Sequence, residues 1–287
     1  MSSPEEAAGQ EIMRLVQEQV DMGPRVPGTA PHDLLSQRLS SCLDHAGAEV
    51  TLQRFTVPFR GKVLECVNVV GVVRSRSPSR LPPVLFGTHY DTRCRADRDP
   101  DPALREMPIP GANDGGSGTA VLLHLLDRIA PEELTRDVAI AFFDAEDLGN
   151  IDGKEFALGA AWLADHPLPG FAPAEVVVLD MVGGRDMVLD IDAGILNHAP
   201  SRRATTELFR IGMAHGWQPF VGDKPNRVKH IISDQSPFAR RGIAAALLID
   251  IDYPQWHTQA DLPEAMSSES LRISEEALWL FLSRQPD

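Results

Sequence analysis

Short apolar runs alternate with longer amphipathic stretches along most of this chain, and that alternation constrains its fold more than any other feature. The runs Val67–Val73, Pro83–Thr88, Val138–Phe143, Glu175–Leu179, Asp186–Ile191 and Ala245–Ile251 are rich in Val, Ile, Leu and Phe and too short for helices, so they read as strands. Several are apolar on both faces, as central strands covered by helices must be. Helical patterning occupies Glu5–Asp21, His32–Ala48, Ser117–Ile129, Glu155–Asp165, Arg202–His215 and Ser268–Ser283. In Ser117–Ile129, for example, Val121, Leu122, Leu125 and Leu126 recur at helical spacing. Helix and strand in turn predict an α/β fold, a three-layer sandwich around a mixed, largely parallel central sheet. No repeat, low-complexity tract or linker interrupts the pattern, so residues 1–287 are expected to form a single domain. The Asp- and Pro-rich stretch Arg95–Pro110 reads as a long loop within it, with the DRDPDP run at Asp97–Pro102 taken as solvated.

Charge narrows the partners. Lys and Arg total 27 against 41 Asp and Glu, a net charge of −14. A surface this acidic repels phosphate backbones, so neither nucleic acid nor an anionic membrane is expected as a partner. No apolar run approaches the roughly 20 residues of a membrane helix. The segment MSSPEEAAGQEIMRLVQ carries acidic residues where a signal peptide needs a basic region. A cytoplasmic protein is therefore expected, or an exported one if a leader precedes this chain. Cys42, Cys66 and Cys94 form no CxxC pair and are odd in number, which suggests free thiols.

In open α/β sheets ligands bind beyond the carboxyl ends of the strands, and there the chain repeatedly presents ligating groups. One strand runs into Gly87-Thr88-His89-Tyr90-Asp91, another into Asp144-Ala145-Glu146-Asp147, a third ends at Asp180, and the last leads to Trp256-His257. Between the first two lies Gly111-Ala112-Asn113-Asp114-Gly115-Gly116-Ser117-Gly118, a glycine-rich turn opening a helix. An aspartate after a strand is ordinarily a cap or turn former. Five separate segments that deliver two imidazoles and several carboxylates to one edge form a ligand set suited to Zn²⁺. The set is His89, Asp114, Asp147, Asp180 and His257. With no sulfur ligand, a catalytic site is expected rather than a closed structural one. Neighbours at a strand end point in different directions, so in Glu146-Asp147 one carboxylate can bind metal while the other serves as a general base. The remaining histidines match no ligand spacing, and His124 is expected to face solvent. There is no nucleophile elbow and no phosphate-binding loop.

The series HYD (His89–Asp91), GANDGGSG (Gly111–Gly118), FFDAED (Phe142–Asp147), VVLDMVGG (Val177–Gly184), SDQSPFARRG (Ser233–Gly242) and WHT (Trp256–Thr258) resembles the zinc aminopeptidase superfamily. That superfamily includes the animal-type glutaminyl cyclases. The resemblance runs from Arg25-Val26-Pro27-Gly28 to the last helix, and the approach to GANDGG, the FFDAED strand end and LDMVGG lean towards the bacterial cyclases. It implies a zinc-exopeptidase-like fold. It also implies one zinc held by Asp114, Asp147 and His257, Glu146 as proton shuttle, and Asp180 and Asp234 as orienting carboxylates. Trp256 would line a pocket for a glutamine side chain, and Phe156 stands near the place where cyclases carry a loop Trp. The activity implied is closure of the N-terminal glutamine of a peptide or small amine to pyroglutamate, with loss of ammonia. The alternative is aminopeptidase hydrolysis at a two-metal site, for which His89 and Asp180 would complete a second zinc. A binding module on a degenerate peptidase fold is the third reading; such proteins usually lose ligands, and all five are present.

Overall fold

A computed structural model describes residues 3–77, 81–225 and 227–284. In chain order it contains α1 (Pro4–Asp21), α2 (Ala30–His45), β1 (Glu49–Phe59), β2 (Lys62–Val73), β3 (Val84–His89), α3 (Gly116–Arg128), β4 (Val138–Phe143), α4 (Leu158–Asp165) and β5 (Glu175–Asp180). There follow β6 (Ile191–Asp192), α5 (Ala193–Leu196), α6 (Ala199–Ala214), α7 (Gln218–Val221), β7 (Val228–Lys229), α8 (Gln235–Arg240), β8 (Ala244–Ile249) and α9 (Ser268–Ser283). Six strands form one sheet in the order β1-β2-β4-β3-β5-β8. Strands β4, β3, β5 and β8 run parallel, while β2 runs antiparallel to both its neighbours.

Period-two patterning separates the two faces of this sheet. In β4, Val138, Ile140 and Phe142 pack with α1, α2, α3, α6 and α9, while Ala139, Ala141 and Phe143 pack with α4 and α8. The result is the expected three-layer α/β sandwich. The chain passes from β3 to β4 on one side and then crosses to β5 on the other, so the carboxyl ends of these strands surround a topological switch point. No helix among the described residues is long and apolar enough to cross a membrane. Cys42, Cys66 and Cys94 are all free thiols.

Among the segments that differ from the sequence reading, three bear on the site or the core. Strand β1 was not expected, because its apolar residues slip phase between Val50-Leu52 and Phe55-Val57-Phe59. It is an edge strand whose more buried side is that of Thr51, Gln53, Phe55, Val57 and Phe59, leaving Leu52 44% exposed. Its second half packs Phe55, Val57 and Phe59 against Ala145, Leu148 and Ile151, an apolar underlay for the loop after β4. The run Asp186–Ile191 makes no strand of the main sheet; only Ile191 enters a ladder, paired through β6 with β7. Met187 and Leu189 are buried nonetheless, while the Asp190 amide donates to the Ile249 carbonyl at 2.7 Å. Helix α4 starts at Leu158 rather than Glu155, because Ala157 adopts a left-handed conformation, φ 62°, that breaks the helix before it. His124 is also not simply solvent-facing: its Nδ1 lies 3.1 Å from Glu275 Oε1 and joins α3 to α9.

Helix α3 must pack closely on the sheet to bring its N-terminal loop to the strand ends. A Cβ on Gly118 would collide with Thr88 Oγ1 and stand 3.1 Å from the Leu179 carbonyl oxygen. Gly118→Ala is expected to cost about 1–3 kcal/mol of stability through this overpacking, seen as a lower midpoint in urea unfolding with an unchanged slope.

Candidate metal centre

The strand ends bring the predicted ligands together. His89 closes β3, Asp180 closes β5, Asp114 sits in the loop before α3, and Asp147 follows β4. Their atoms form two groups within metal-binding reach of one another: His89, Asp114 and Asp180, and Asp114, Asp147 and His257. Asp114 belongs to both. His89 Nε2 lies 3.2 Å from Asp114 Oδ1 and 3.5 Å from Asp180 Oδ1. His257 Nε2 lies 3.3 Å from Asp147 Oδ1 and 3.6 Å from Asp114 Oδ2.

The donor set fits zinc. All five residues are buried, and His89 Nε2, Asp114 Oδ2, Asp147 Oδ2 and Asp180 Oδ1 have no hydrogen-bond partner. Orphaned buried polar atoms are costly, and these converge on one another. Each imidazole is also oriented from its far side, as metal-bound histidines usually are. His89 Nδ1 lies 3.2 Å from the Asp91 carbonyl oxygen, and His257 Nδ1 lies 3.4 Å from Asp97 Oδ1.

Two further aspartates position the ligand loops without belonging to either group. The Asp91 carboxylate accepts from the amides of Glu146 and Asp147, both at 3.1 Å. The Asp261 carboxylate accepts from the amides of Asn113 at 2.9 Å and Asp114 at 3.0 Å, and from the Tyr253 hydroxyl at 3.0 Å. Buried arginines complete the frame. Arg25 donates to the carbonyls of Pro110 and Gly111. Arg93 grips Asp97 through two 2.8 Å bonds and donates to the Asp147 and Gly149 carbonyls. The DRDPDP run is thus not wholly solvated, since Asp97 is tied to Arg93 and His257, and Asp99 accepts from the Gln259 amide at 2.9 Å. Sequence reasoning passed over Asp91 inside HYD and Asp261 just beyond WHT; a carboxylate beside a ligand motif was the only signal. Arg25 marks only the start of the resemblance, Asp97 falls in a run that reads as solvated, and Arg93 gives no signal.

Ala145, Met181 and His257 adopt left-handed backbone at φ 58°, 50° and 58°. Non-glycine residues rarely do so, and such strain gathers where a side chain must be aimed. Here the three fall at His257 itself and next to Glu146 and Asp180.

Burial and charge set the protonation of the site. Burial pushes the Glu146 carboxyl well above its usual range; the charges of Asp234, Asp180 and Asp147 add to this, against the opposing pull of His89. Burial likewise holds Asp234 high, and both its oxygens lack partners. Asp114 is pushed up to about 7, by burial and then by the Asp147 charge. Burial disfavours a charged His257, but hydrogen bonds to Asp147 and Asp97 outweigh it and raise the imidazole to about 9.

A cavity of about 490 Å³ opens onto Asp114, Glu146, Asp147, Asp180 and His257, with Trp256 and Phe156 among its walls. The Trp256 ring lies 4.3 Å from the His257 ring, and the Arg98 guanidinium covers it at 3.9 Å. His89 and Asp234 do not line the cavity.

The model of peptidase family M28 matches residues 68–282. Aminopeptidase YwaD of Bacillus subtilis is 27% identical over 220 residues, covering 71% of this chain and 41% of its own length. The chain therefore spans about two fifths of that curated relative. Among solved structures, a Zn-dependent exopeptidase from Parabacteroides distasonis superposes with a TM-score of 0.86 at 27% identity, covering 96% of this chain and 98% of its own. A glutaminyl cyclase from Tannerella forsythia gives 0.86 at 27% identity, covering 97% and 99%.

Two expectations follow from the geometry. Asp261→Asn leaves one carbonyl oxygen where two amides need acceptors, so zinc affinity should fall about 10–100-fold in a chelator competition assay while the fold is retained. Zinc must also displace protons, because His257 is protonated below about 9 and Asp114 below about 7. Zinc binding should therefore release protons and weaken as pH falls through this range, as measured by calorimetry in buffers of different ionisation enthalpy.

Proposed function

The chain belongs to peptidase family M28, and on that premise we propose that it cyclises the N-terminal glutamine of peptides to pyroglutamate with release of ammonia. What chiefly supports this reading is Trp256 beside His257. An indole wall adjoins the ligands Asp114, Asp147 and His257, with Glu146 on the same cavity. The likeness to a glutaminyl cyclase over nearly the whole chain agrees with it.

In this reading Asp114, Asp147 and His257 hold one zinc, which supplies Lewis-acid polarisation of the glutamine γ-carbonyl. The substrate's own α-amine forms the new C–N bond to that carbon. Glu146 accepts the amine proton and returns it to the departing amide nitrogen, so that the C–NH₂ bond breaks and ammonia leaves. A raised carboxyl is the stronger base once ionised, which a bound zinc beside it would favour, and readily returns the proton it takes. Asp180, anchored by a 2.9 Å bond from Ser233 Oγ, orients the reacting amide from the cavity wall, and Asp234 acts on Glu146 through its charge. Nucleophile and electrophile belong to one residue, so the cavity walls Trp256 and Phe156 need only hold a folded side chain near attack geometry and keep water out. The partner is thus a peptide, or a small amine, with a free N-terminal glutamine.

A second reading, hydrolytic removal of the N-terminal residue, is favoured by the completeness of the group His89, Asp114 and Asp180. It is also the activity named for YwaD. Glu146 would then take its proton from water, and two zinc ions rather than one would be bound.

Incubating the zinc-loaded protein with one Gln-initiated and one Leu-initiated peptide separates these readings by mass spectrometry. Loss of ammonia from the Gln peptide alone is expected; release of free leucine would overturn cyclisation in favour of hydrolysis. Glu146→Gln should lower kcat/KM by about 10²–10⁴-fold while leaving bound zinc unchanged by atomic absorption. Retained activity in that variant would remove the proton-shuttle assignment.

A further inference from the structure

The cavity over the metal centre is polarised along its depth. Its floor is carboxylate: Asp114, Glu146, Asp147 and Asp180. Its rim carries Lys154, on the turn after β4, and Arg240, at the end of α8, with one acidic residue, Glu155, alongside. In a chain of net charge −14, basic side chains are mostly met by acids, as with Arg93 and Asp97, Arg128 and Glu275, and Arg241 and Asp165. The side chains of Lys154 and Arg240 have no ion-pair or hydrogen-bond partner among the described residues, although both line the cavity. Arg240 gains something from the helix C-terminus where it sits, but Lys154, on a turn, has no such reason to be there.

We propose that Lys154 and Arg240 form an anion-recognising rim. It selects peptides that carry a carboxylate shortly after the N-terminal residue, so that a dipolar substrate aligns with its amino end on the acidic floor. This rests on the reading of the cavity as a peptide N-terminus site, and it names the class of peptide taken. Two sources offer the same chemistry: an acidic side chain at the second or third residue, and the terminal carboxylate of a very short peptide. Two cations lining one cavity fit either source, and complementary charge at a rim favours selection and encounter over raw affinity.

The test is calorimetric binding to the zinc-loaded Glu146→Gln protein, which reads affinity without turnover. Four ligands are compared: amidated glutaminyl-glutamate, glutaminyl-alanine and glutaminyl-lysine, and glutaminyl-alanine with a free carboxylate. We expect amidated glutaminyl-glutamate to bind about five- to tenfold tighter than the lysine peptide. Added salt should diminish the preference, and Lys154→Glu combined with Arg240→Glu should reverse it. Tighter binding of the free carboxylate form than of its amide identifies the peptide terminus as a source; preference only among the amidated peptides identifies the side chain. Equal affinities, a preference unchanged in the double variant, or no binding of any peptide overturns the rim. If charge preference is present but the wild-type protein converts no Gln peptide, the rim stands and cyclisation fails.

Discussion

At the carboxyl edge of the sheet, Asp91, Asp114, Glu146, Asp147, Asp180, Asp234 and Asp261 are all nearly removed from water. An unpaired buried carboxylate costs several kcal/mol, so the surrounding structure depends on how each of these is answered. Asp91 and Asp261 are answered by backbone, each accepting from two successive amides. Asp147 is answered by the His257 and Arg93 charges, which hold it below its usual range although burial opposes them. Asp114 and Asp180 turn toward His89 and keep orphaned oxygens in a space that suits a divalent cation. Glu146 and Asp234 are held by burial in the protonated direction, with only the charge of His89 opposing it, which is why the proposed chemistry gives Glu146 a proton to carry.

The fold serves this arrangement by fixing short connections. Four parallel strands end at nearly one level, and His89, Asp147 and Asp180 of the candidate ligand set lie on or just past those ends. Strand β1 extends the support beneath them. Its second half lays aromatic and aliphatic side chains under Ala145, so the left-handed turn next to Glu146 is backed by packing. Gly118 brings α3 against β3 and β5 from the opposite face. Together these hold Asp114 and the Glu146-Asp147 pair from two sides.

Much of this was legible in the sequence, for physical reasons. Strands β3, β4, β5 and β8 are buried on both faces and read as plain apolar runs. The candidate ligands at their ends were visible because polar residues interrupt such runs at consistent places. What could not be read depended on partners distant in the chain. Asp261 matters because it meets amides 147 and 148 residues earlier, and Arg93 because Asp147 and Gly149 return to it across the site. Edge strand β1 escaped notice because its alternation changes phase, and Met187 and Leu189 misled because an apolar segment can be buried without joining a ladder.

The Arg95–Pro110 loop has a consequence of another kind. One segment carries both Asp97, which steadies the His257 imidazole, and Arg98, which covers the Trp256 indole. It is fastened by the bonds from Ala96 to Met107, from Ile109 to Arg93 and from Gln259 to Asp99. Local opening of this loop would free both supports in a single event. The lifetime of a bound ion and the rigidity of the indole wall would then be set by one opening rate. Exchange of metal and loosening of the pocket become a shared relaxation of the molecule, governed by the stability of sixteen residues rather than by that of the whole fold.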